Sequence, residues 1–234
     1  MTDLNPTELV ATVASAAVKA TLAAAGGLKT PTPPRPSQKP LAPARPLRPT
    51  HPTQGLAAEG ARRDRLAVAV HEAGHAVAGV ALGAELRSAV LAPEGTTLRG
   101  GRAGQTNFSD QATYHDPEVA YAGPWAQAKF QAGGRRPTLR EFYALLDSTG
   151  HNDRQVLTAA GGTHEGAGVV PMLDRCWPAV LTVARKLHTV GEIHQEDVLG
   201  ALGITDGGGE FSVQLASLRS GSASVPAFMP ADHA

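Results

Sequence analysis

The stretch Ala69-Val70-His71-Glu72-Ala73-Gly74-His75-Ala76-Val77-Ala78-Gly79 constrains this 234-residue chain more than any other. Leu66, Val70, Ala73, Val77 and Val80 recur at spacings of four, three, four and three, which predicts an α-helix with one apolar face. Within it stands H-E-x-x-H. At about 3.6 residues per turn, His71 and His75 lie on the same side of the helix, so both imidazoles reach one ion. His71 lies about 100° round from Val70, which places the histidines at the border of the stripe rather than its centre. Zinc takes neutral imidazole nitrogen at about 2 Å and, with three protein ligands, keeps a fourth position for water. The ion lowers the pKa of that water towards roughly 7, and a carboxylate beside it takes the proton. Glu72 stands where such a base is needed.

A random chain of this length contains H-E-x-x-H on the order of once in a hundred, so the helical setting is what gives the motif its weight. Two ligands do not close a zinc site, and the longer H-E-x-x-H-x-x-G-x-x-H form is ruled out because positions 78 and 81 are both alanine. Glu118 and Glu141 stand on following helices but in no distinguishing context. The segment Ser148-Thr149-Gly150-His151-Asn152-Asp153 is the better source. It reads as a break followed by a helix, whose N-terminus presents Asp153 rigidly, with Asn152 and Ser148 available to orient it. His151, beside it, is a further candidate to bind or shield the metal or to stabilise an oxyanion.

The rest of the chain divides by composition. Residues 1–26 predict a short amphipathic helix: Asn5 caps, Pro6 suits the first helical position, and Val10, Val13, Ala14, Ala17, Val18 and Leu22 form a stripe. The run Leu9 to Ala25 is short for a membrane span, follows an acidic leader and is interrupted by Lys19, so no membrane crossing or export signal is expected. Residues 27–56 hold half of the 18 prolines and five basic residues without an acid; they predict an extended linker. The N-terminal helix and this arm are candidate docking segments for a protein partner. Residues 57–204 predict the folded domain, with the zinc helix running to Gly83. Residues 205–234, rich in Gly and Ser, predict a flexible tail.

Within the domain, Leu86–Leu91 and Thr97–Phe108 read as one or two strands beside the cleft, and an edge strand there is a candidate to hold substrate backbone. Asp116-Pro117-Glu118 opens a helix that Pro124 is expected to interrupt. Thr138-Leu139-Arg140-Glu141 is a capping box for another. Val169 to Leu187 follows helical spacing, with a kink expected at Pro178, and Gln195–Leu202 forms a last short helix. The fold class is therefore mainly α with a small β element. Aromatic residues are only 4%, so the core must be built from small residues and close backbones. A formal net charge of zero gives no global field for nucleic acid or membranes. Cys176, the single cysteine, excludes an internal disulfide and a multi-cysteine zinc knuckle; it reads as a core thiol, consistent with a cytoplasmic setting.

In three places, in the same order, the sequence resembles the peptidase domain of the FtsH-type, ATPase-linked zinc proteases. His71-Glu72-Ala73-Gly74-His75-Ala76 is similar to that family's zinc helix. Ala122-Gly123-Pro124-Trp125-Ala126 is similar to its Gly-rich helix start, although the family has small residues and an acid where this chain has Trp125 and Gln127. Ser148–Asp153 is similar to the loop whose aspartate is the third zinc ligand. The resemblance spans roughly Leu66 to Leu202. It implies that His71, His75 and Asp153 bind Zn2+ and that Glu72 is the base of a zinc-dependent endopeptidase. No G-x-x-x-x-G-K-[ST] occurs, so the family's unfolding ATPase is not expected here and substrates are expected to be unfolded or flexible polypeptides. The alternative expectation is a zinc-binding module without catalysis that acts in protein–protein regulation.

Overall fold

The computed structural model describes residues 52–109 and 115–225. The N-terminal helix and most of the proline-rich arm expected from the sequence lie outside these residues. Helices α1 (Pro52–Ala81), α2 (Asp116–Gln131), α3 (Leu139–Leu146), α4 (His151–Ala159), α5 (Val170–Arg175), α6 (Trp177–Val190), α7 (Gln195–Leu202) and α8 (Val213–Ser220) surround a small sheet. Its strands are β1 (Leu86–Leu91), β2 (Gly104–Phe108) and β3 (Glu192–Ile193), in the order β2-β1-β3 and antiparallel throughout. The expected class, mainly helical with a small β element, is the one observed. Among the described residues, no helix is long and apolar enough to cross a membrane.

Helix α1 is the axis of the domain. It begins at Pro52 rather than near Ala57, with proline at the first helical position, where its missing N–H costs nothing. The apolar stripe predicted one dry face, yet every residue from Ala69 to Ala81 is buried. Small residues off the stripe explain the difference: Ala69, Gly74, Ala76, Ala78 and Gly79 let neighbouring backbones approach from the other sides. Helices α2 and α6 and strands β1 and β2 take those sides. Gly74 meets α2 so closely that a Cβ there would lie 2.8 Å from both the Ala122 carbonyl oxygen and the Ala126 Cβ. Gly79 does the same for β2, since its Cβ would fall 2.3 Å from the ring of Phe108.

Helix α2 runs unbroken through Pro124, where an interruption was expected. An internal proline costs a helix about 3 kcal/mol. Burial of the stretch Ala120–Lys129 against α1 offsets that cost. Lys129, buried near the end of α2, ion-pairs with Asp174 and sits 4.9 and 4.8 Å from the rings of Trp125 and Trp177. That cluster ties α2 to α5 and α6.

Three further elements refine the sequence reading. The predicted capping box is present, Thr138 Oγ1 accepting from the Glu141 N–H and Glu141 Oε2 accepting from the Thr138 N–H. Where one kinked helix was expected, α5 and α6 are separate, divided at Cys176, and Pro178 is the second residue of α6, in its first turn. The Cys176 thiol is buried, and burial, opposed by Arg175, pushes its pKa up to about 11. Within the region after residue 204, expected as a flexible tail, Val213–Ser220 form α8, and residues 226–234 lie outside the described residues. Ser212 caps this helix, and Leu215 and Leu218 are buried in the main core. The Gly/Ser content concealed two leucines at helical spacing.

The two environments along α1 predict opposite effects of one substitution. Gly74→Ala should destabilise the domain by about 1–3 kcal/mol, because the new methyl overlaps α2 backbone. Gly60→Ala, with nothing within 4 Å, should stabilise it by up to about 1 kcal/mol through helix propensity. Chemical denaturation of the two variants measures both.

Candidate metal centre

His71 and His75 project from the buried half of α1 towards the first turn of α4. Helix α4 starts at His151 with Gly150 as its N-cap residue, so Asp153 occupies the third helical position and is not itself the cap. Asp153 Oδ2 lies 3.2 Å from His71 Nε2 and Oδ1 lies 3.3 Å from His75 Nε2. The two Nε2 atoms are 3.0 Å apart. Ligand atoms about 2.0–2.2 Å from a tetrahedral ion stand roughly 3.3–3.6 Å from one another, close to these spacings. Among the described residues, His71, His75 and Asp153 form a group able to hold a metal ion.

The outer nitrogens of the imidazoles decide what the inner ones offer. His75 Nδ1 donates to the Val119 carbonyl at 2.7 Å, and a carbonyl only accepts. His71 Nδ1 donates to Gln127 Oε1 at 2.9 Å, and Thr149 Oγ1 donates to the same oxygen at 3.1 Å. Both Nδ1 atoms therefore carry a hydrogen, so each Nε2, which faces the Asp153 carboxylate, is the nitrogen that offers a lone pair once no proton sits there. Two nitrogen lone pairs and an anion converging on one point require a cation or a proton at their centre. The donor set, two imidazoles and a carboxylate, is one that zinc and other first-row divalent metals accept.

Electrostatics follow from the same contacts. Burial opposes a charge on His75, but Asp153, Glu72 and the Val119 carbonyl outweigh it and raise its pKa to about 9. Burial also opposes the charge on Asp153, yet His75 and His71 hold its carboxyl well below the usual carboxylate range.

Glu72 is buried beside the pair, and Thr106 Oγ1 donates to its Oε2 at 2.7 Å. Gly104 makes the close approach of β2 feasible: a Cβ there would lie 2.7 Å from Glu72 Oε1. Gly123 plays the same part on α2, where a Cβ would fall 2.3 Å from His75 Nε2. The four side chains open onto a cleft of about 550 Å³ between α1, β2, α2 and α4.

The sequence-predicted residues divide cleanly. His71, Glu72, His75 and Asp153 are brought together. His151 is exposed and bonds Gln155, Glu141 serves the α3 cap, and Glu118 pairs with His115, so none of the three joins the cluster. Ser148 does not orient Asp153; its hydroxyl donates to the Ala144 and Leu145 carbonyls. Gln127, Thr149 and Thr106 were not singled out as functional. The signals for Gln127 were that a polar residue interrupts an alanine-rich helix and that it departs from the motif the sequence resembles there. Comparison of the sequence with protein-family models and with curated proteins finds no match.

Two predictions concern the ligands' partners. Gln127→Leu removes the acceptor that fixes the His71 tautomer and should weaken metal binding about 10–100-fold, measured by competition with a chelating dye. A metal entering the site displaces the His75 proton. Affinity should therefore fall as pH drops below about 9, by about tenfold per unit, read by the same titration at several pH values.

Proposed function

We propose that the domain is a zinc-dependent endopeptidase acting on unfolded or flexible polypeptide. The observation that carries this reading is the convergence of His71, His75 and Asp153 with Glu72 beside them at the base of an open cleft. His71, His75 and Asp153 would hold the ion, and the tethered Nδ1 atoms keep both imidazoles in the ligating tautomer. Bound zinc supplies Lewis acidity, acidifying water and polarising a carbonyl. Glu72 takes the proton of the attacking water and returns it to the leaving amine. The hydrogen bond from Thr106 fixes the rotation of that carboxylate.

The shape of the cleft supports an extended substrate. Strand β2 is an end strand of the sheet, so among the described strands its outer edge pairs with none. It runs along α1, anchored by Phe108 on Gly79 and by Thr106 on Glu72. A peptide adding to that edge passes its backbone beside Glu72. An unfolded or flexible segment can take up that extended form, which is why this reading assigns such segments as substrate.

Base and ligand should fail differently. Glu72→Gln should retain zinc while cleavage of a peptide library falls about 10²–10⁴-fold. Asp153→Asn should lose zinc affinity and cleavage together. Elemental analysis alongside peptide mass spectrometry, with and without chelator, reads both. Metal binding without cleavage by the wild type would leave a zinc-binding module, and tight zinc binding by Asp153→Asn would remove Asp153 from the ligand set.

A further inference from the structure

We propose that Arg102 is the specificity residue of the cleft, selecting peptides that carry a carboxylate two or three residues from the bond cut. The inference rests on the peptidase reading and adds the chemical class of substrate to it. Among the described residues lining the cleft, Arg102 is the only lysine or arginine. The lining acids that belong to the metal centre are engaged, Glu72 by Thr106 and Asp153 by the two histidines. Arg102 is half-buried, and its one hydrogen bond among the described residues runs from Nε to the Arg99 carbonyl at 3.3 Å. The two terminal nitrogens of its fork make no hydrogen bond among the described residues, and the residue itself lines the cleft. A guanidinium fork matches a carboxylate with two parallel hydrogen bonds, and partial burial strengthens the pair over a solvated one.

The backbone that carries Arg102 is built rather than loose. The Leu98 N–H donates to the Arg102 carbonyl at 2.7 Å, and the Gly101 N–H donates to the Leu98 carbonyl at 3.0 Å. Gly100 and Gly101 supply the left-handed conformations the turn needs, with φ of 81° and 76°. Pairing between the two strands continues one step past β2, through the Ala92 N–H and the Ala103 carbonyl at 2.9 Å. Arg102 is thus held two residues before Gly104, the residue packed against the Glu72 carboxylate. At about 3.3 Å per residue, that separation is roughly 7 Å along a strand added to β2. A carboxylate two or three positions from the scissile bond meets the fork there.

That carboxylate has two sources, an acidic side chain or the peptide's own C-terminus, and the test separates them. Zinc-loaded Glu72→Gln protein is titrated by fluorescence anisotropy with three labelled peptides. One is amide-capped with Glu at the reading position, one is amide-capped with Gln there, and one is the Gln peptide shortened to place a free C-terminus at that position. The same peptides are incubated with zinc-loaded wild type. We expect the Glu peptide, the free-carboxylate peptide or both to bind about tenfold or more tightly than the capped Gln peptide. Introducing Arg102→Gln should remove the difference with zinc content unchanged, and Arg102→Glu should favour a Lys peptide instead. Equal binding of all three peptides, or a preference that survives Arg102→Gln, overturns the proposal. Cleavage without charge preference would sink the role of Arg102 and leave the peptidase reading standing. Charge-selective binding without cleavage by the wild type would do the reverse, and neither binding nor cleavage would sink both.

Discussion

Everything in the domain depends on the contact between two helix backbones where α1 crosses α2. Gly74 faces the Ala122 carbonyl and Ala126, and Gly123 faces His75, at separations that admit no Cβ on either glycine. Dispersion between close backbones is individually weak, but here it sets distances that the chemistry requires. Because α2 lies this near, its Val119 carbonyl and Gln127 amide reach the outer nitrogens of both histidines. A bulkier residue at either crossing point would push the two acceptors out of hydrogen-bond range. The geometry of the candidate metal centre is therefore a product of packing as much as of the motif itself.

The part of the site that sits on one helix was readable because a helix converts spacing into direction. His71, Glu72 and His75 needed nothing more than the 3.6-residue period. Asp153 was readable only through the turn before it and the order of motifs, since no local rule says where a separate helix will dock. Gln127 and Thr106 were hidden for the same reason: their roles arise from which elements become neighbours. Propensity misjudged Pro124, which as an isolated residue should break a helix, because burial of the surrounding stretch against α1 outweighs the loss of one hydrogen bond. It also missed β3, a two-residue strand fixed only by pairing with β1, and α8, where Leu215 and Leu218 find the core within a glycine- and serine-rich sequence.

The electrostatic design follows from burial. Two imidazole nitrogens and a carboxylate converge in a site with little water, with the Glu72 carboxylate beside them, and that arrangement is tolerable only around positive charge. The same field that raises the proton affinity of His75 suppresses that of Asp153, so the pair titrates as a unit. Gln127, an amide, adds a dipole and no charge. A divalent ion here would be neutralised only by Asp153 among its direct ligands, which favours a strongly polarising centre.

The chain separation of the ligands has a consequence of its own. Both histidines belong to α1, whereas Asp153 arrives after β1, β2, α2 and α3 have been threaded between them. An ion bound by all three closes that whole length into a loop, restricting the unfolded chain as a covalent cross-link would and leaving the native geometry unstrained. Metal concentration then becomes a thermodynamic variable of the fold itself. Scarcity of the ion would loosen the docking of α4 on α2 before it affected the central helix, so the first structure to fray would be the wall of the cleft that carries Asp153.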